Sequence, residues 1–391
     1  MSQVAQRQFA LSQSQVEYAA RIRDVAQNDL PAGKAETGQV NRPLLRAMGR
    51  LGLLRGLFGG DPDEPPRDAA AMQLCLLRET LAGVNTEAET ALALQGLGSY
   101  PILQSGSEAV VKRWIPGVVT GEVVPAFALS EPSAGSDAAA LSLRAEPDGD
   151  GWRLSGEKTW ISNAPDADVY TVFARTTPDS RARGVTAFAV AGDAEGLSGE
   201  GIDLLSPHAI GRVVFDGVRV SRDDVLGEVD AGFKVAMATL DLFRPSVGAF
   251  AVGMAQAALD CAVDYSRSRE VHGAPLHEQQ SVLHTLAEMA TRVQASRLLV
   301  YAAASAYDAG APAREITKSA AMAKLHATES AQFVVDQAVQ MHGARALQKG
   351  HLLEHLYREV RAPRIYEGAS EVQRSIIGRS LVQSQKGEPL L

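Results

Sequence analysis

The apolar pattern of this chain changes period twice, and that double change restricts its fold more than any other feature. Up to about residue 122 the hydrophobic residues recur at helical spacing, as in Ala71, Leu74, Leu77 and Leu81 within the breaker-free stretch 68–83. Leu30-Pro31-Ala32-Gly33 and the run from Gly59 to Pro66 punctuate this region, because glycine and proline interrupt helical backbone. From about 123 to 226 the period drops to two, through Val123 to Leu129, Trp152 to Leu154, Tyr170 to Ala174, Thr186 to Val190 and Arg212 to Phe215. Polar turns such as Asp148-Gly149-Asp150-Gly151 and Ser155-Gly156-Glu157-Lys158 separate these runs, the pattern of a small, mostly antiparallel β domain. After Gly232 the helical period returns, with Val282, Leu286, Met289, Val293 and Val300 on one face and a long proline-free segment over 246–267. The reading is an α+β multidomain chain: an all-α N-terminal domain over 1–122, a β domain over 123–226 and a helical bundle over 227–391, with a loose tail from Gln385.

Composition narrows the functional classes. A length of 391 residues suits two or three domains with a sizeable core. The net charge of −8 leaves no basic surplus to neutralise a polyphosphate backbone or an anionic bilayer, so nucleic acid and membrane are not expected partners. No apolar run approaches the roughly 18 residues of a membrane span, and Met1 to Leu11 lacks the basic cluster and apolar core of a secretory signal. The cytoplasm is the expected compartment. Cys75 and Cys261 lie far apart without metal-type spacing and read as two buried apolar thiols. Nor do His272, His277 and His284 share a ligand spacing with carboxylates, so no metal is expected.

Three motifs could carry chemistry. Leu129-Ser130-Glu131-Pro132-Ser133-Ala134-Gly135-Ser136-Asp137 follows a strand and packs small and hydroxyl residues into a tight turn, whose N–H groups could cradle a phosphate or a flavin edge. Gly156 to Asn163 carries Trp160 and Ser162 at i and i+2, on one strand face, where an indole beside a hydroxyl donor suits a flat heterocycle. Near the end, in Arg361 to Arg374, Glu367 precedes Gly368 where a loop turns into a helix, so its carboxylate can project into a cleft. Taken singly, each also fits an ordinary loop, a core indole or a solvated surface charge.

Together the three patterns resemble the acyl-CoA dehydrogenase family over nearly the whole chain. Further matches are Gly98 to Ile102 with Gly106, Leu226-Gly227 with Gly232-Phe233, Arg244-Pro245, Tyr265 to Arg269, Gln280, Leu286 to Met289, and Gln340 to Gly343. The resemblance implies that the C-terminal bundle has four helices and that the cofactor is FAD. In it, Phe127, Leu129, Ser130, Gly135 and Ser136 correspond to contacts with flavin and thioester, and Trp160 and Ser162 lie against the isoalloxazine. Arg269, His272, Gln280, Gln340 and Gly343 match positions that meet the dinucleotide part of FAD across a subunit boundary, with Ala369 and Glu371 beside it. A homo-oligomer, tetramer or dimer, follows from that arrangement.

Glu367 matches the catalytic base of the family, which takes the α-proton of an acyl thioester while the β-hydrogen leaves as hydride to FAD, giving a trans-2-enoyl thioester. Some members carry the base where this chain has Phe243, which cannot accept a proton. Arg244 would orient or tune Glu367, or else pair with Asp241. Ser136, Asp241, Phe243, Arg244, Tyr366 and Gly368 are the expected substrate contacts, and Ala93 and Gly96 are expected toward the pocket base, hinting at short or branched acyl groups.

The chain departs from the family pattern at Ala369, where Thr is common, at Glu371, where Gln is frequent, and at His272, where an aromatic usually packs. Ser206 to Arg212 replaces a longer Lys/Gly/Arg/Ser segment of fatty-acid enzymes. That places the chain nearer bacterial members of specialised or biosynthetic pathways, some of which use acyl-carrier-protein thioesters instead of acyl-CoA. Three readings stay open: a dehydrogenase that passes electrons to an electron-transfer flavoprotein, an oxidase that uses oxygen, and a non-catalytic thioester or flavin binder.

Overall fold

A computed structural model describes residues 11–31, 38–59, 70–206 and 208–383. The expected turn at 32–33, most of the Gly59 to Pro66 run, Asp68, Pro207, the start of the chain and the tail from Gln385 lie outside the described residues. Helices α1 (Gln13–Asn28), α2 (Arg42–Arg50), α3 (Ala71–Ala82), α4 (Thr86–Ser105) and α5 (Glu108–Thr120) precede the strands. Asn41 and Ser107 cap α2 and α5 by accepting from Leu44 N and Val110 N, satisfying donors that a helix start leaves free.

The strands are β1 (Pro125–Ala128), β2 (Arg144–Asp148), β3 (Gly151–Ser162), β4 (Val169–Arg175), β5 (Val185–Ala191), β6 (Leu197–Gly201), β7 (Ile210–Val220) and β8 (Val225–Leu226). They form one sheet in the order β6-β7-β3-β2-β4-β5-β8, with β1 paired to β4. The β1–β4 and β2–β4 pairs are parallel and the others antiparallel, as the period-two runs with short polar turns predict. After the sheet come α6 (Gly232–Ser268), a ribbon of β9 (Glu270–Val271) and β10 (Ala274–Pro275), and then α7 (Gln280–Asp308), α8 (Ala313–His342), α9 (Leu352–Glu359) and α10 (Ser370–Gln383).

Two compact units result. One comprises the described residues of Asp29–Ala69 and Thr90–Leu240. Its central strand β4 is buried on both faces: Tyr170, Val172 and Ala174 enter a core with Leu154, Phe188 and Phe215, while Val169 and Phe173 enter another with Ile102, Val110, Ile115 and Leu129. Gly98 brings α4 against β1, since a Cβ there would lie 2.8 Å from Ala126 N, and Thr171 Oγ1 seals the contact by donating to Gly98 O at 2.8 Å.

The other unit comprises the described residues of Met1–Asn28, Ala70–Glu89 and Asp241–Leu391, where α7 and α10 lie along α8 and α3 packs on α1 and α7. Three sequence expectations change here. The proline-free stretch is only part of α6, which runs through Pro245. Burial of Leu242, Phe243, Val247 and Ala249 on successive turns outweighs the local cost of the proline. That helix also meets the length and hydropathy of a membrane span, with a mean hydropathy of 1.4 over an 18-residue window, yet 67% of the window is buried inside the chain. It is a core helix. Of the two thiols, Cys75 is buried but Cys261 is half-buried, 3.5 Å from His342 Nε2.

Candidate active site

In the helical unit, Glu367 occupies the short link between a 3-10 turn (Ala362–Arg364) and α10. Its φ is 51° and that of Gly368 is 94°, two successive positive-φ residues just before α10. An L-residue pays about 1–2 kcal/mol for that conformation, so the turn needs outside support. Lys324 Nζ donates to Tyr366 O at 3.0 Å and to Gly368 O at 2.7 Å. Gln373 Nε2 donates to Glu367 O at 3.2 Å and to Gly368 O at 2.9 Å. Glycine suits position 368 because of its left-handed φ, and a Cβ there would also displace the Gln373 amide, lying 2.5 Å from its Nε2.

The Glu367 carboxylate has an oxygen, Oε2, that is buried without a hydrogen-bond partner among the described residues. Burial raises its pKa above the ordinary carboxylate range, against the opposing charges of Arg78, Lys324 and Arg244. A carboxylate raised in this way accepts a proton more readily than an ordinary one, and Oε2 has a lone pair that no described donor occupies. Arg244 joins the two readings the sequence left open. Its Nη1 pairs with Asp241 Oδ1 at 3.0 Å, while its Nε reaches the backbone carbonyl of Glu367 at 3.4 Å instead of the carboxylate. Asp241 Oδ2 also accepts from Thr317 Oγ1 at 2.7 Å, and burial raises the Asp241 carboxyl despite these partners.

Sequence reasoning missed the buried polar residues around this turn. Arg78 is 3% exposed and Glu89 fully buried. They pair at 2.5 Å, and Arg78 Nη1 donates to Ser246 Oγ at 2.7 Å. Ser246 Oγ in turn donates to Phe243 O at 2.7 Å, which ties the buried Phe243 to the same network. Lys324 and Gln373 are fully buried. A signal existed for Lys324, the one charge in the stretch Ala320 to Leu325, since a charge in so apolar a stretch must find partners; Arg78, followed at once by Glu79, stood out less. Glu329 fastens the link from the far side, through Arg364 Nη2 at 2.8 Å and Ser370 Oγ at 2.5 Å.

In the sheet unit, Ser130 to Asp137 forms a tight turn closed by reciprocal backbone bonds between Glu131 and Ala134. Lys158, fully buried, clamps it by donating to Leu129 O at 3.0 Å and to Glu131 Oε1 at 2.8 Å. Ser142 and Leu143 also donate to that carboxylate. Ser130 is half-buried and Gly135 and Ser136 are exposed. Phe127 packs against Phe173 with ring centroids 5.0 Å apart and the ring planes tilted by 57°.

The expected single strand face for Trp160 and Ser162 is a broken one. Lys158 and Thr159 are both buried, the pairing register shifts between Lys158 and Ile161, and Trp160 has φ 59°. The irregularity arises because Lys158 is drawn inward to the turn and Thr159 N bonds Ser130 O at 3.0 Å. It leaves the Trp160 indole 56% exposed, with the half-buried Ser162 two residues on. An exposed indole on a rigid bulge is a ready platform for a flat ring.

The remaining expected residues are placed as follows. Arg269, His272, Gln280, Gln340, Gly343 and Glu371 are exposed, and Tyr366, Gly368 and Ala369 line the Glu367 turn. His272 and Gly273 form the left-handed tip of the β9–β10 ribbon, and Gln340 lines a recess of ≈ 370 Å³ with Leu347 and Tyr357. Ala93 and Gly96 are buried in α4. No cluster of three potential metal ligands occurs among the described residues.

Residues 12–122, 126–218 and 230–382 match the N-terminal, middle and C-terminal domains of acyl-CoA dehydrogenases. A probable acyl-CoA dehydrogenase of Mycobacterium leprae, fadE25, is 36% identical over 96% of this chain and 97% of its own. The mitochondrial short-chain specific acyl-CoA dehydrogenase of Bos taurus is 36% identical over 93% of this chain and 89% of its own. The solved butyryl-CoA dehydrogenase from Megasphaera elsdenii is 32% identical with a TM-score of 0.88, covering 96% of this chain and 100% of that one. With all three domains matched in order and relatives above 30% identity over nearly the whole chain, the chain belongs to the acyl-CoA dehydrogenase family of FAD-dependent oxidoreductases, which dehydrogenate acyl thioesters.

Proposed function

We propose that Glu367 is the base of this dehydrogenase and that the substrate is the CoA thioester of a short acyl group. The observation that carries the first part is the buried Glu367 oxygen without a partner among the described residues, on a turn held by Lys324 and Gln373. An oxygen that no described donor occupies keeps a lone pair for a substrate proton, and the low-dielectric surroundings make it a better acceptor. Glu367 would take the α-proton. The Glu367 N–H, on its left-handed backbone, is the donor this chain offers to the thioester oxygen as negative charge develops there. Bound FAD supplies the acceptor for the β-hydrogen and its electron pair.

Residues that fit FAD are present. The exposed Trp160 indole and Ser162 would face the flavin ring, with Phe127, Leu129, Ser130, Gly135 and Ser136 beside them. Arg269, His272, Gln280, Gln340 and Gly343, with Ala369 and Glu371, would meet the dinucleotide end, in a homotetramer or dimer. Asp241, Phe243, Arg244, Tyr366 and Gly368 would line the acyl site in the helical unit, and Ser136 is the substrate contact expected from the sheet unit. The short acyl group is supported by the two relatives named for short-chain and butyryl substrates. An electron-transfer flavoprotein as electron acceptor, a cytoplasmic setting and domain limits of 1–122, 123–226 and 227–391 complete the reading.

The test is Glu367→Gln in the flavin-loaded enzyme, mixed anaerobically with butyryl-, isobutyryl-, hexanoyl- and octanoyl-CoA. The expected result is a yellow, folded protein whose flavin is not bleached by any thioester that bleaches the wild type. Retained bleaching would overturn the assignment of the base, and peroxide release during aerobic wild-type turnover would favour oxygen as acceptor.

A further inference from the structure

Lys324 stands in the middle of α8, fully buried among Ala320, Ala321, Ala323 and Ala327. Burying an ammonium costs several kcal/mol, and packing alone would be served by methionine at such a site. Its Nζ reaches the carbonyls of Tyr366 and Gly368, the residues on either side of Glu367. Gln373 and Arg244 hold the Glu367 carbonyl itself. We propose that Lys324 is a positioning residue for the reaction: by gripping both neighbours of Glu367 it holds the left-handed turn and fixes the direction of the carboxylate before substrate arrives. The proposal rests on Glu367 being the base.

The same ammonium acts on the carboxylate through space. The charges facing Glu367 are Arg78 from α3, Arg244 from α6 and Lys324 from α8. Those facing Lys324 are Glu367, Arg244, Glu329 and Glu371. Without Lys324, two of the three positive charges remain and Glu367 becomes harder to ionise. Because the base must be ionised to act, the acid limb of kcat/KM then moves to higher pH.

Lys324→Met and Lys324→Gln are compared with the wild type and Glu367→Gln as flavin-loaded, folded proteins, checked by circular dichroism and flavin content. The thioester is whichever of butyryl-, isobutyryl- and hexanoyl-CoA the wild type turns over fastest. Lys324→Met is expected to lower kcat on the order of a hundredfold, the penalty of an ångström-scale misplacement, with KM nearly unchanged and the acid limb raised. Lys324→Gln keeps a donor without the charge, so it should recover part of kcat and show the same raised acid limb. A folded Lys324→Met with wild-type kcat and acid limb overturns the proposal. Failure of both variants to fold does so too, because it makes Lys324 a stability residue only. Turnover by Glu367→Gln sinks the base assignment itself, whereas an inert Glu367→Gln beside a wild-type-like Lys324→Met removes only the role of Lys324.

Discussion

Replacing Lys158 by methionine should destabilise the sheet unit by about 3–4 kcal/mol, most of it through Glu131. Both side chains are buried, at 0% and 2% exposure. Losing one partner of such a pair typically costs about 3–5 kcal/mol, because the other charge is left in low dielectric. The lower part of that range applies here. Glu131 keeps three donors, Ser142 N at 2.7 Å, Ser142 Oγ at 2.8 Å and Leu143 N at 2.9 Å, which go on solvating its charge. Leu129 O loses its 3.0 Å bond to Nζ, and methionine retains the packing of the lysine stem. Glu131→Gln in the same chain should restore about 1–2 kcal/mol, since a neutral amide needs no counter-charge. The assay is selective, because Trp114, Trp152 and Trp160 all lie in the sheet unit. Tryptophan emission during urea unfolding reports that unit, while circular dichroism follows the helices as well. A Lys158→Met emission transition within about 0.5 kcal/mol of wild type, or a double variant no better than the sum of the singles, would refute the reasoning.

Gly98→Ala should cost about 1–3 kcal/mol by the same tryptophan assay, since the new Cβ meets the β1 backbone, which cannot yield as a flexible side chain does. Trp160→Ala should loosen FAD about tenfold, the worth of one stacked aromatic contact, read as flavin lost on gel filtration; unchanged retention would remove the indole from the flavin site. The raised Glu367 carboxyl predicts that kcat/KM falls as pH drops through a value above the ordinary carboxylate range, since protonation there removes the base. A wild-type acid limb at an ordinary carboxylate value would mean that another group controls the step.

The architecture was legible because burial follows local period. β4 is buried on both faces and reads as a continuous apolar run, and the long helices show their apolar faces at helical spacing. Glu367, Trp160 and Arg244 could be picked out by motif, but their geometry could not. The left-handed backbone at Trp160 and Glu367 is set by groups remote in sequence: Lys158 pulls its strand inward toward Leu129 and Glu131, and Lys324 reaches across 42 and 44 residues to Tyr366 and Gly368. Local propensity favours neither conformation for an L-residue, so the pattern around them reads as strand and loop. Pro245 shows the converse: a local rule says break, and the buried turns on either side carry the helix through.

Lys158 and Lys324 solve one problem in different ways. Each is fully buried and each is pushed down to about 8, chiefly by burial. Lys324 donates to two backbone carbonyls beside Glu367, and Lys158 to the Leu129 carbonyl and the Glu131 carboxylate. Lysine suits the task because a single flexible stem ends in three donors, which can span two carbonyls where a planar guanidinium would need both in its plane. The counter-charge separates them. Lys158 has Glu131 at 2.8 Å, so its charge is neutralised where it stands and what remains is mechanical strength. Lys324 gives its hydrogen bonds to peptide oxygens, and its charge acts through space on Glu367, Glu329 and Glu371. That charge is therefore free to bias a neighbouring carboxylate. Neutralising Lys158 should mainly lower stability and neutralising Lys324 mainly lower rate, although both lysines are fully buried and both are shifted down.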